Sequence, residues 1–151
     1  MQARTVQITV SRPWRELCEF LAQPRNYPLW ASWLGSSLRQ HRGDWIASRP
    51  GGGPAKVRFT ERNAFGVADH CLLEDEDRER YIALRAVPHG GGTEVILTLF
   101  REPDCGDAQW RASADAALQD LGRLKALIER RVSAAGWPRR AGWPRTPRPP
   151  S

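Results

Sequence analysis

The sequence is short of the residues on which most catalytic and metal chemistry is built. It has three cysteines, Cys18, Cys71 and Cys105, far apart, with no C-x-x-C pair and no zinc-type spacing. That excludes a disulfide framework and a zinc ribbon, and leaves reduced, inert, mostly buried thiols as the expectation. Three histidines, His41, His70 and His89, fall on separate segments and form no metal-ligand pattern. No serine or cysteine has a histidine at a readable spacing, so no activated nucleophile is visible. Neither Gly51–Gly53 nor Gly90–Gly92 opens a helix or is followed by G-K-[ST]. Both therefore read as turns between strands, and phosphate loops and dinucleotide fingerprints are absent. No run approaches the roughly eighteen apolar residues of a membrane span, and Met1 to Val6 carries no apolar signal core. Membrane insertion is not expected, and the cytoplasm is the expected compartment.

Lysine is scarce as well. Of the 23 basic residues, only Lys56 and Lys125 are lysines. The formal charge of +6 is unevenly placed. Four arginines, Arg139, Arg140, Arg145 and Arg148, lie in residues 133–151, which hold no acid, leaving 23 − 4 = 19 basic against 17 acidic residues before them. A nearly neutral body with a basic tail, rich in Arg, Ala, Gly and Pro, reads as base-composition bias more than as a nucleic-acid footprint. Nucleic acid is not the expected partner.

An apolar content of 40% and a charged content of 26% in 151 residues suit one folded domain with its own core. We place that domain at 1–132 and a tail at 133–151, in which Gly-Trp-Pro-Arg occurs twice, at Gly136 and Gly142. Five prolines in the last fourteen residues exclude a helix there.

The pattern along the domain is legible. Thr5 to Val10 alternates as a half-buried strand. Ser11 and Pro13 suit the start of a helix carrying Trp14, Leu17, Cys18 and Leu21. Pro24 and Pro28 interrupt it, and Asn26 to Leu34 reads as a short aromatic-rich helix or turn. Strands are expected at 37–42 and 44–49 around Gly43, then at 55–62, 66–73, 81–87 and 93–101. From Asp107 to Val132 the residues Trp110, Ala114, Ala117, Leu118, Leu121, Leu124, Ile128 and Val132 recur every three or four positions, a single helical stripe. Asp104 or Asp107 would cap that helix.

One strand, two short helices, six strands and a long helix is the order of the helix-grip fold. Trp30 after Asn26, Gly43-Asp44, Gly66 to His70, Leu84 to Pro88, Gly92 to Val95 running into Leu99-Phe100-Arg101, and Asp120-Leu121 before Leu124-Lys125 all occur in that arrangement. Over about residues 4 to 131 the chain resembles the SRPBCC (START/Bet v 1-like) superfamily, and within it the bacterial proteins labelled polyketide cyclase/dehydrase-like. The resemblance implies an α+β fold in which a curved antiparallel sheet grips the C-terminal helix around an internal cavity. It also implies binding of a hydrophobic ligand, and in some members cyclisation or dehydration of polyketides. It carries no shared catalytic motif and no cofactor.

Five residues are candidates for the cavity. His70 is the one histidine in a mid-strand position, either a core residue or an acid–base group. Asp69 beside it must point to the opposite face. Arg85, in an otherwise apolar strand, either reaches out to solvent, pairs with an acid such as Asp69, or meets a ligand carboxylate or carbonyl. Tyr81 is a possible donor to a carbonyl. Trp30 and Trp33, three apart, share a face as packing or as a wall of the cavity mouth. The residues leave open whether the protein only binds its ligand or also acts on it. An alternative is a non-catalytic interaction module whose Trp/Arg tail contacts a protein or nucleic acid. A weak homodimer through the sheet edges is compatible with either.

Overall fold

The structure, a computed structural model, describes residues 2–49 and 51–131. Val132 of the helical stripe and the whole 133–151 tail lie outside the described residues. Seven strands form one antiparallel sheet: β1 (Ala3–Val10), β2 (Leu38–His41), β3 (Asp44–Ser48), β4 (Pro54–Phe59), β5 (His70–Asp75), β6 (Arg78–His89) and β7 (Gly92–Phe100). Their spatial order is β1-β7-β6-β5-β4-β3-β2. Helix α1 (Trp14–Leu21) follows β1, and α2 (Asp107–Glu129) closes the chain's described part. The expected second helix is two 3-10 turns, Pro24–Leu29 and Ser32–Leu34, because Pro24 and Pro28 deny the backbone its α-helical bonds.

The sheet follows the two-residue period closely. In β6, Ile82, Leu84 and Ala86 are buried while Tyr81, Arg85 and Val87 are exposed. In β7, Thr93, Val95, Leu97 and Leu99 are buried. These inner positions meet α2 through Trp110, Ala114, Ala117, Leu121, Leu124 and Ile128. Leu118, expected on the stripe, is half-exposed, since it follows Ala117 by one position and so stands about 100° around the helix. Burying this face is the main stabilising term, at about 25 cal/mol for each Å² of apolar surface.

The ends of the helices differ from expectation. Ser11 does not cap α1; Pro13 occupies that place, and the Ser11 amide instead donates to Glu129 Oε1 at 2.8 Å. Gly106 precedes α2 with no side-chain cap. Asp107 is in the first turn, where its charge suits the helix dipole, and accepts from Arg101 at 2.6 Å. Lys125 Nζ donates to the Thr9 carbonyl at 2.7 Å and to Glu129 at 2.6 Å, so the end of α2 is tied to the end of β1. Asp120, fully buried on α2, accepts from the Ser32 amide at 3.0 Å and its hydroxyl at 2.6 Å and pairs with Arg123. That bond anchors the second 3-10 turn to the long helix. Gly35 ends the turn at φ 74°, and a Cβ there would sit 1.6 Å from the Ser48 carbonyl oxygen, so only glycine fits.

Candidate functional site

The expected strand at 66–73 begins regularly only at His70, and the cause bears on the site. Val67 still bridges Arg85, and the Ala68 amide donates to the Leu84 carbonyl at 2.8 Å. The return bond is diverted: the Leu84 amide donates to Asp69 Oδ1 at 2.9 Å instead. The Ala68 carbonyl is thereby free to accept from His70 Nδ1 at 3.0 Å. Trp33 Nε1 can only donate, and it donates to His70 Nε2 at 3.0 Å. The proton of His70 therefore sits on Nδ1. Both ring nitrogens are occupied by protein partners.

His70 faces inward and is 2% exposed. Burial pulls its pKa down to about 4, against the weaker upward pull of the Ala68 carbonyl and the Asp69 charge. The ring is neutral at pH 7. Around it lie Tyr27 and Phe59, with ring centroids at 5.2 and 5.4 Å, and Trp33, nearly parallel to it at 6.0 Å. Trp30 packs edge-on to Trp33 at 5.3 Å and against Tyr27 at 5.6 Å. Tyr27 donates its hydroxyl to the Leu21 carbonyl at 3.0 Å. Trp30 Nε1 is buried with no hydrogen-bond partner among the described residues. Such a donor costs about 1–3 kcal/mol in place. These rings fill most of the space beneath β4 and β5: the hollow beside Tyr27, Phe59 and Ala68 measures about 20 Å³, room for a water.

The structure thus brings Trp30, Trp33 and His70 together inside the sheet. Tyr81 and Arg85 stand on its outer face. There they surround the Asp69 carboxylate, 3% exposed, which accepts from Tyr81 Oη at 2.7 Å and from Arg85 Nε and a terminal nitrogen at 3.0 and 2.7 Å. Burial alone would raise the Asp69 pKa. The hydrogen bonds from Arg85, Tyr81 and the Leu84 amide outweigh it and hold the carboxyl below its ordinary value. Of the alternatives for Arg85, the ion pair with Asp69 is the one the structure contains.

A larger space opens at the end of the sheet where α2 begins. It measures about 170 Å³. Ile82, Leu99 and Trp110 supply apolar wall, and Glu74, Arg78, Arg80 and Ser113 supply polar edge. Sequence reasoning set Trp110 in the core and did not single out Arg80. The period of two in β6 ties residue 80 to the face of Ile82 and Leu84 but does not say which face is inner.

Among the described residues no group of three or more His, Cys, Asp or Glu is placed to hold a metal ion. Burial pushes the Cys18 thiol up to about 12 and raises the Cys71 thiol, so neither is a ready nucleophile at neutral pH. Among the described residues no helix is long and apolar enough to cross a membrane.

No protein-family model matches the chain, and no curated protein matches it. Solved structures do. Protein MLL2253 from Mesorhizobium loti is 20% identical with a TM-score of 0.62, over 85% of this chain and 98% of that one. Ara h 8.0201 is 12% identical with a TM-score of 0.56, over 85% and 97%. DynU16, a protein of the dynemicin biosynthetic locus, is 16% identical with a TM-score of 0.61, over 86% of this chain and 48% of DynU16. At these identities the likeness concerns the fold. With the strand order and the position of α2, it shows that the chain has the helix-grip fold.

Proposed function

We propose that the protein binds a small, mostly apolar molecule between the sheet and the first half of α2, in the space lined by Ile82, Leu99 and Trp110. One observation carries this reading. The aromatic cluster under β4 and β5 is packed almost shut, whereas the α2 end keeps about 170 Å³ open, with Ile82, Leu99 and Trp110 as its apolar floor inside a polar rim. An engineered apolar cavity of about 150 Å³ accepts benzene, so a small ring system is the appropriate scale. A long acyl chain is not.

Binding without turnover is the reading the chemistry favours. His70 has no free nitrogen to offer a substrate, and Tyr81 and Arg85 face away from the interior. Cyclase or dehydratase chemistry would need a donor or base within reach of the ligand. The donors lining this space are Arg78, Arg80, Tyr81, Gln109 and Ser113; Arg78 is engaged by Glu74 and Asp104, Tyr81 donates to Asp69, and the Ser113 hydroxyl is bonded to the Trp110 carbonyl at 2.7 Å.

The test is titration calorimetry with 2-naphthalenemethanol, a neutral two-ring alcohol, on the wild type and on Ser113→Phe. The added ring would occupy the space from the α2 side. Saturable, one-to-one binding that Ser113→Phe weakens about tenfold or more supports the reading. Binding of equal strength in the variant would place the ligand elsewhere, and no binding to either would sink the proposal.

A further inference from the structure

Two charges at this mouth, Arg80 and Glu102, have no ion pair among the described residues, and the arginine points to a ligand class. Glu74 is engaged twice, by Arg49 at 2.8 Å and by Arg78 at 3.2 Å. Asp104 pairs with Arg78 at 3.3 Å. Arg80 has no ion pair, hydrogen bond or ring contact among the described residues. It is directly opposite Leu72 in the β5–β6 ladder and two residues from Ile82, so its side chain rises from the inner face. Its half-buried position keeps the guanidinium partly wet.

A lone arginine is not unusual at a surface, where its stem covers apolar neighbours and its head reaches water. Arg80 differs in what surrounds it. The inner positions of β5 to β7 around it are mostly apolar, Leu72, Ile82, Leu84, Val95, Leu97 and Leu99 among them, and the polar ones, His70, Arg78 and Thr93, have partners, Thr93 the Arg12 carbonyl at 2.8 Å. An arginine fork with all its donors unused therefore stands beside apolar wall and an open volume. Its planar N–H pair matches a carboxylate, and the low-dielectric wall strengthens that bond relative to one in water. The other unpaired charge at the mouth, Glu102, lies beyond 4.0 Å of the guanidinium and would oppose a second negative charge on the ligand.

Resting on the binding function proposed above, we infer that Arg80 sets ligand class: the site takes an apolar ring compound bearing a single carboxylate, whose oxygens dock on the Arg80 guanidinium while the ring lies against Ile82, Leu99 and Trp110. The role is recognition.

Titration calorimetry at pH 7 with 2-naphthoate and with 2-naphthalenemethanol, a neutral molecule of the same ring, tests it. The wild type should bind the carboxylate about tenfold or more tightly, the scale of a charge-assisted hydrogen bond. In Arg80→Met, which keeps the apolar stem, the ratio of the two affinities should fall to near one. Arg80→Lys, which keeps the charge without the fork, should restore part of it. The Arg80 side chain makes no hydrogen bond or ion pair among the described residues, so circular dichroism and melting of the variants should match the wild type. Equal affinities in the wild type, or a preference that survives in Arg80→Met, would overturn the assignment while leaving apolar binding standing. Failure of both compounds to bind would overturn both.

Discussion

Lowering the pH should destabilise the protein through His70 before its carboxylates titrate. The folded pKa is about 4, against 6.5 for the free side chain. Because the folded value is depressed, the unfolded chain binds the proton first, so stability is lost as pH falls below 6.5 and the loss levels off below 4. The full difference is about 3 kcal/mol at 1.36 kcal/mol per pH unit. Between pH 7 and pH 5 alone it is about 2 kcal/mol, a window above most carboxylate titration. The physical event is definite: a protonated Nε2 cannot accept from Trp33, and the cation has no acid within the aromatic cage of Tyr27, Phe59 and Trp33. The assay is urea unfolding followed by circular dichroism at pH 7, 6 and 5, on the wild type and on His70→Gln. Glutamine can accept from Trp33 but does not titrate. The wild type should lose about 2 kcal/mol over that range and the variant should be nearly flat, though less stable at pH 7. A flat wild type, or an equal slope in the variant, would refute the account of His70 as a neutral, doubly bonded core group.

Other substitutions probe the frame that holds the site. Asp69→Ala strips acceptors from Tyr81, Arg85 and the Leu84 amide, and should cost about 3 kcal/mol or more in urea unfolding, whereas Arg85→Ala, on the half-exposed partner, should cost clearly less. Asp120→Ala unfastens the Ser32 turn from α2 and should lower stability by about 2 kcal/mol, with amide exchange at Ser32–Leu34 rising first. Gly35→Ala meets the Ser48 carbonyl and should cost well over the roughly 1 kcal/mol expected for Gly43→Ala, where a Cβ meets nothing within 4 Å and only the positive φ is strained.

The long helix and the hairpins were readable because their patterns are local. The α2 stripe needs only its own spacing, and the turn at Gly43 needs only one residue with φ of 86° next to Arg42 at 51°. The faces of β6 were not readable. Tyr81 and Val87 make the outer face nearly as apolar as the inner one, so alternation alone could not tell which side Arg85 would take. The pairing of Arg85 with Asp69 was legible as one of several alternatives. Its consequence, the diverted Leu84 amide that frees the Ala68 carbonyl for His70, depends on cross-strand register. The caps failed for a related reason. Glu129, over a hundred residues away, claims the Ser11 amide, and no local rule contains that contact. Arg80 carries no local mark, because it stands next to Glu79 at the start of a strand whose two faces are nearly equally apolar. Only its position opposite Leu72 shows that it faces in.

The central claim is that the space between the sheet and α2 holds a small apolar ligand. Native mass spectrometry of protein purified from its own host, followed by solvent extraction and identification of what is released, tests it most directly. The account predicts a one-to-one adduct of small mass, a ring compound bearing one carboxylate. An adduct-free protein, whose melting temperature is also unmoved by a panel of neutral and acidic aromatic compounds, would contradict it.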